Sequence, residues 1–314
     1  MRGAATLPGL GKGARIGVFD AGIGGVPFAA LLRRRAPQHD IVYLGDAARR
    51  PYGPQSAADV TRYVAQAERF FAEAACDAWV VACNTASVVT PLALRGSLPC
   101  IDMVSAAQRV APSPERGRLA VLATAGTVAS GVLPRALPDH DVVQIATEDL
   151  LRLAEEGGGD DPVRLRSLVR QALQEVRDAG CRAAVLACTD FTCIGDLMAE
   201  VAEELAGEPV GPTAFTGGAP PWACTLIDPL EGALELLLDA LDDITTPPAD
   251  GRGPGELSAA RHDRLCMTGE HPVDARRYAA DEFQLALPPV EIVDLPAAED
   301  PVTGSTGTPN TPHP

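Results

Sequence analysis

Cys76-Asp-Ala-Trp-Val-Val-Ala-Cys83-Asn-Thr85 and, 105 residues further on, Cys181-Arg-Ala-Ala-Val-Leu-Ala-Cys188-Thr189 are two copies of one pattern. Each is a Cys-x6-Cys segment whose middle is an apolar run ending in Ala-Cys, with a threonine just after. A run of this length and composition is a buried strand. A second pair of segments repeats at a similar offset: Val18-Phe-Asp20-Ala-Gly-Ile-Gly-Gly25 lies roughly over Val121-Leu-Ala-Thr124-Ala-Gly-Thr127. The chain therefore reads as two similar halves, each presenting one cysteine at the tip of a strand.

Outward from these segments, short apolar runs alternate with amphipathic stretches. Strands are expected at 16–20, 41–44, 78–83, 100–103, 119–124, 142–145, 183–188, 265–268 and 290–293. Helices are expected at 26–35, 56–75, 148–156, 162–179, 194–206, 230–242 and 272–284. Strand–helix alternation implies an α/β fold with mainly parallel sheets covered by helices on both faces. In such sheets ligands bind beyond the carboxyl ends of the strands. Residues 1–14 and 297–314 read as flexible tails, and the Gly/Pro-rich segments from Gly207 and from Thr245 as loops or insertions.

Composition narrows the chemistry. The 314 residues are 46% hydrophobic and 22% charged, enough for a packed core over most of the length. The net charge of −16 argues against nucleic acid or an anionic membrane as partner. No stretch reaches the roughly 18 apolar residues of a membrane span, and the N-terminus carries no apolar signal region; a cytoplasmic location is expected. Of 26 basic residues, only Lys12 is a lysine. A pyridoxal Schiff base and a Gly-Lys-Ser/Thr phosphate loop are thereby excluded on composition. The eight cysteines form no Cys-x-x-Cys pair, so neither a disulfide framework nor a structural zinc site is expected.

Cys83 and Cys188 each end a buried strand and lead into a helix start. Backbone N–H groups there bind carboxylates and favour a thiolate. Two facing halves place the sulfurs on opposite sides of one cleft. A thiolate and a thiol on opposite faces of a carbon exchange its proton with inversion, with neither metal nor pyridoxal; no cofactor is expected. Cys76 and Cys181, at the other ends of their strands, are expected in the core. Asp20, before the Gly-rich turn 21–25, either orients a substrate ammonium and assists Cys83 or caps the helix from Val26. Thr124 and Thr127 either cap a helix or hold a carboxylate. Asp190 either caps a helix or tunes Cys188. Asp46 reads as a turn residue, and Pro51-Tyr52-Gly53 as a turn with backbone N–H groups open to a carboxylate.

These residues resemble the glutamate racemases of the cofactor-independent aspartate/glutamate racemase superfamily. The matching segments are 16–25, Tyr43-Leu-Gly-Asp-Ala-Ala-Arg-Arg-Pro-Tyr-Gly53, Val81-Ala-Cys-Asn-Thr-Ala-Ser87, Leu122-Ala-Thr-Ala-Gly-Thr127, Leu186-Ala-Cys-Thr-Asp190, Leu226-Ile-Asp228 and Met267-Thr-Gly269, in family order over residues 15–295. The resemblance implies two flavodoxin-like domains, 15–106 with 225–295 and 107–215, and an active site between them. It implies Cys83 as the base for the D-enantiomer, Cys188 for the L-enantiomer, and Asp20 in support of Cys83. Asn84, Thr85, Thr189, Tyr52 and Gly53 would hold the carboxylates and ammonium of an amino-acid substrate. A homodimer making D-glutamate for peptidoglycan is the implied setting.

Departures from the pattern bear on substrate. Ala21 stands where the family has serine, Ala47 where it has threonine, and Gln55 where it has Lys or Arg. Asp190 replaces the histidine that assists the second cysteine; aspartate racemases of the superfamily carry an acidic residue there. An ionised carboxylate beside Cys188 raises its pKa, whereas an imidazolium lowers it. Aspartate or a specialised amino acid is the alternative substrate, and a non-catalytic binding protein the alternative of another class.

Overall fold

The computed structural model describes residues 10, 13–90, 98–155, 161–207, 222–241, 262–271 and 273–295. The first half runs β1 (Arg15–Asp20), α1 (Val26–Arg35), β2 (Asp40–Gly45), α2 (Ala57–Glu73), β3 (Ala78–Val81), α3 (Asn84–Val89), β4 (Cys100–Asp102) and α4 (Met103–Val110). The second runs β5 (Leu119–Ala123), α5 (Ala125–Ser130), α6 (Val132–Ala136), β6 (Val142–Ala146), α7 (Glu148–Glu155), α8 (Pro162–Asp178), β7 (Ala183–Ala187), α9 (Asp190–Cys193), α10 (Gly195–Ala206) and β8 (Thr225–Ile227). The chain then returns through α11 (Pro229–Ala240), β9 (Arg264–Met267), α12 (Ala275–Phe283) and β10 (Val290–Ile292).

Among the described residues every strand pairing is parallel. The first sheet has the order β10-β9-β2-β1-β3-β4 and the second β6-β5-β7-β8. β2-β1-β3-β4 and β6-β5-β7-β8 are the same arrangement, so the sequence repeat is a structural one. In each half the order reverses beside the first strand, between β1 and β3 and between β5 and β7. That reversal is where a doubly wound sheet opens a crevice at its carboxyl edge. The central strands β1, β3, β5 and β7 are buried on both faces, whereas the edge strand β10 is exposed. Ala78, Val80 and Ala82 join one core while Trp79, Val81 and Cys83 join the core on the opposite face. In β7, Ala184 and Leu186 face one core and Ala183, Val185 and Ala187 the other.

Local chemistry starts the helices. The Ser56 hydroxyl accepts from the Asp59 N–H, and Val60, Val64, Ala67 and Phe71 then bury one face of α2. Asp102, Asp161 and Asp228 cap α4, α8 and α11, the last two with proline in the first turn. Among the described residues, no helix is long and apolar enough to cross a membrane.

The domain expectation needs one correction. Residues from 225 were assigned to the first unit, but Thr225–Ile227 pairs with β7 in the second sheet. Trp222 anchors it there, buried in the second core with its indole N–H on the Cys181 carbonyl. The change of half comes at α11. Leu10, placed in the flexible leader, is buried in the first core and donates its N–H to the Ala240 carbonyl. The remaining leader residues 1–9 and 11–12, the tail 297–314 and most of both soft segments lie outside the described residues.

The chain leaves the first half at α4 and returns to it at α11, and these two helices cross in contact. A β-carbon on Gly232 of α11 would overlap the Ala106 carbonyl oxygen of α4. Gly232→Ala is expected to destabilise the fold by about 1–3 kcal/mol through overpacking, read as a lower denaturant midpoint with an unchanged m-value.

Candidate active site

The carboxyl edges of the two sheets enclose a cavity of about 330 Å³, within the ~300–1,000 Å³ of small-molecule sites. Three sets of residues line it. The first half contributes Asp20–Ile23, Pro51–Pro54, Cys83 and Thr85. The second contributes Thr124, Glu148, Leu151, Arg152, Ala154, Glu155, Cys188–Asp190, Cys193 and Ile194. The return segment adds His271, Val273, Tyr278 and Glu282.

Each sequence candidate is placed by its element. Asp20 ends β1; its Oδ1 accepts from the Gly22 N–H at 2.8 Å, and the Tyr43 hydroxyl pins the Gly22 carbonyl at 2.9 Å. Asp20 does not cap α1, whose cap is Gly25. Cys83 is the cap residue of α3. Cys188 follows β7, and its thiol donates to Asp190 Oδ2 at 3.2 Å. Asp190 is thus in contact with the cysteine, and the cap residue of α9 is Thr189. Thr124 caps α5 through the Thr127 N–H, and it also lines the cavity. Asp46 is fully buried, accepting from Arg49, Thr268 and the Tyr52 hydroxyl, so it braces the 51–54 turn.

Two expectations differ. Thr127 is fully buried behind Thr124 and hydrogen-bonds its hydroxyl at 3.0 Å; it does not line the cavity. Asn84, buried in the first turn of α3, does not line it either. Successive helical residues point about 100° apart, so a motif read as a block delivers only some of its side chains to one side. Cys193, Glu148, Glu155, His271 and Tyr278 were not foreseen. Glu148 and Glu155 carried a signal, lying seven apart on one face of a predicted helix.

Hydrogen bonds stitch the halves together across the cavity. Thr85 and Thr124 hydroxyls meet at 3.2 Å, and Thr189 donates to Asp20 Oδ2 at 3.1 Å. Arg50 bridges to Glu155 at 2.9 Å, and the Tyr278 hydroxyl donates to Cys193 Sγ at 2.8 Å.

Burial dominates the protonation equilibria. Burial raises Asp20 to about 6 against the N–H of Gly22 and the hydroxyl of Thr189. Burial, then the charges of Asp20 and Glu155, raise Asp190 to about 7, while the Cys188 thiol and Arg50 pull it down. Cys83 is raised by burial first and by Asp20 second, with the N–H groups of Ala86 and Ala21 opposing. Cys188 is raised by burial first and by Asp190 second. The sequence expectation that helix N-termini would favour thiolates is outweighed. Desolvation of a fully enclosed charge exceeds what one or two N–H groups return. At neutral pH both thiols hold their protons, Asp20 is mostly ionised and Asp190 is divided between its two forms.

A carboxyl group whose folded pKa lies above its unfolded value of 3.8 binds its proton more tightly when folded. Its stabilising effect is complete below about pH 4 and is lost as pH rises through about 7. Asp190→Asn removes that loss. The variant is expected to melt above the parent at pH 8, with the difference closing toward pH 4, in thermal unfolding followed by circular dichroism.

Comparison with known proteins agrees with this geometry. A family model for Asp/Glu/hydantoin racemases matches residues 28–216. Glutamate racemase from Deinococcus radiodurans is 35% identical over 212 residues, 65% of this chain and 73% of its own. Glutamate racemase from Geobacter metallireducens is 36% identical over 202 residues, 62% and 73% of the two chains. Among solved structures, glutamate racemase from Thermus thermophilus in complex with β-chloro-D-alanine superposes with a TM-score of 0.68 at 29% identity, covering 90% of this chain and 98% of that one. A glutamate racemase isoform from Bacillus anthracis gives 0.71 at 26%, covering 91% and 100%. With two like halves, a cysteine at the same strand end of each and a match over most of its length, the chain belongs to the Asp/Glu/hydantoin racemase family.

Proposed function

We infer that the protein interconverts L- and D-glutamate by moving the Cα proton between Cys83 and Cys188. The observation that carries this reading is the equivalence of the two sulfurs. They follow β3 and β7, the same strand of each repeated half, and they line one cavity. A substrate carbon between them loses its proton to one sulfur and regains one from the other, and the configuration inverts. The family pattern assigns removal from the D-enantiomer to Cys83 and from the L-enantiomer to Cys188.

The cavity's charges supply the rest. Asp20, and Asp190 when ionised, are anionic partners for the substrate ammonium. That ammonium brings positive charge between two thiols that burial keeps neutral, and so favours the thiolate needed to begin. The hydroxyls of Thr85, Thr124 and Thr189, with the turn at Tyr52 and Gly53, are donors for carboxylates. Neutralising the α-carboxylate by hydrogen bonds stabilises the carbanion-like charge that develops at Cα. Asp190, bonded to Cys188, takes the place of the family's histidine as the acid–base neighbour of that sulfur.

A second reading keeps the chemistry and changes the substrate to aspartate. The contact of Asp190 with Cys188 favours it, because an acidic residue at that position is the aspartate racemase pattern. A cytoplasmic homodimer that supplies D-glutamate for peptidoglycan completes the primary reading and rests on the family resemblance.

Proton NMR in D2O tests the assignment. Both enantiomers of glutamate are expected to lose the Cα–H signal with the parent protein. Cys83→Ser and Cys188→Ser are each expected to slow racemisation by about 10²-fold or more, the usual loss for an acid–base group. Washout from aspartate alone would move the substrate, and racemisation unchanged by either substitution would end the two-thiol reading.

A further inference from the structure

We propose that Arg50 is the cation that recognises the side-chain carboxylate of the dicarboxylic substrate, with Glu155 holding the guanidinium at the rim of the cleft. The proposal rests on the glutamate reading above and deepens it.

The cavity wall carries five carboxyl groups and two basic side chains, Arg152 and His271. An amino acid with a second carboxylate entering such a wall meets repulsion unless a cation faces it. Arg152 has a side chain 52% exposed and lies 3.5 Å from Asp149 on its own helix. His271 is neutral at physiological pH, since burial and then the charge of Arg50 push it down to about 4. Arg49, next in sequence, is committed to Asp46, to Gln66 and to the face of Tyr63 at 4.0 Å.

Arg50 is placed differently. It directly precedes the 51–54 turn that forms part of the wall, and its side chain is 20% exposed. A β-carbon on Gly22, another wall residue, would stand 3.8 Å from Arg50 Cδ and 3.1 Å from His271 Nε2. The side chain therefore lies along the cavity's edge. One guanidinium nitrogen, Nη1, reaches Glu155 Oε1 across the cleft at 2.9 Å. A guanidinium carries five N–H donors in a planar fork. Among the described residues, Glu155 takes the one hydrogen bond seen from it. The bridge therefore fixes the plane of the fork while leaving an edge able to take a second carboxylate.

Glutamine is the probe, because it has nearly the shape of glutamate without the distal charge. Calorimetric titration with each is expected to show that the parent protein prefers glutamate. Arg50→Gln is expected to reduce the glutamate-over-glutamine ratio roughly tenfold or more, the loss typical of a charged hydrogen bond. Arg50→Lys retains part of the ratio, since an ammonium keeps the charge and loses the fork. Binding of D-alanine, which has no side-chain carboxylate, is expected to change far less than binding of glutamate in Arg50→Gln, whereas a purely structural role would weaken both alike. An unaltered glutamate-over-glutamine ratio in Arg50→Gln overturns the proposal even if Cα–H washout from glutamate proceeds. Arg50-dependent preference without washout overturns the racemase reading and leaves Arg50 its role. A parent protein that binds neither amino acid overturns both.

Discussion

A β-carbon on Gly24 would overlap the Thr189 hydroxyl, and one on Gly126 would come within 2.7 Å of the Gly53 carbonyl oxygen. These two glycines let the strand-end turns of the two halves approach until backbone meets side chain. The site depends on that approach. It lets Thr189 of the second half donate to Asp20 of the first, and Thr85 of the first meet Thr124 of the second. It also buries Cys83 and Asp20 and leaves Cys188 and Asp190 half-buried on the cavity wall. Larger residues at either glycine would hold the halves apart. The cysteines would then be two solvated side chains at the ends of separate sheets.

Exclusion of water sets the protonation states, and it does so at a cost. Buried carboxyl groups with raised pKa values mean that the folded protein is destabilised by its own site at neutral pH. The hydrogen bonds from Gly22 and Thr189 to Asp20 return part of that cost and keep it the more acidic of the pair. Asp190 has the Cys188 thiol as its donor, and remains near neutrality in pKa. The ion pair of Arg50 with Glu155 closes the same region from the rim. A substrate that carries one ammonium and two carboxylates complements this pattern, since it places opposite charge beside both the acids and the arginine.

Much of this was legible in the chain. The apolar runs at 16–20, 78–83 and 183–188 located the central strands, and the repeated Cys-x6-Cys located both sulfurs before any coordinates. β8 was not legible, because Thr225-Leu-Ile is three residues long and becomes a strand only by lying against β7. α4 and α6 were missed, and the helix starts expected after Cys83 and Cys188 and considered at Thr124 lead only into the short helices α3, α9 and α5. Their residues are Asn, Thr, Ala, Val, Ser, Asp, Phe and Cys in runs of four to six, too short to hold a helix without tertiary contacts. Asn84 and Thr127 show the limit of motif reading, since both are buried and neither lines the cavity. Cys193, Tyr278 and Glu155 show the other limit. They meet the site only because α7, α9 and the return segment converge there, and no local pattern encodes that convergence.

The backbone of the site is nearly two-fold, but its electrostatics are not. Cys83 has two backbone N–H groups in support and Asp20 as its nearest charge, whereas Cys188 has Asp190 in direct contact. Proton removal from the two faces of a substrate therefore meets different resistance. Thermodynamics limits what that difference can do. Enantiomers have equal free energies in water, so the ratio of kcat/KM for the two directions must be unity whatever the protein does. The asymmetry between the two cysteines can raise or lower kcat/KM only for both directions together, and the directions can differ only in how kcat and KM divide, through stabilisation of one bound enantiomer over the other. An acid in place of the histidine beside Cys188 thus alters kcat/KM for both directions alike and the division between kcat and KM in each, and leaves the equilibrium between L and D untouched.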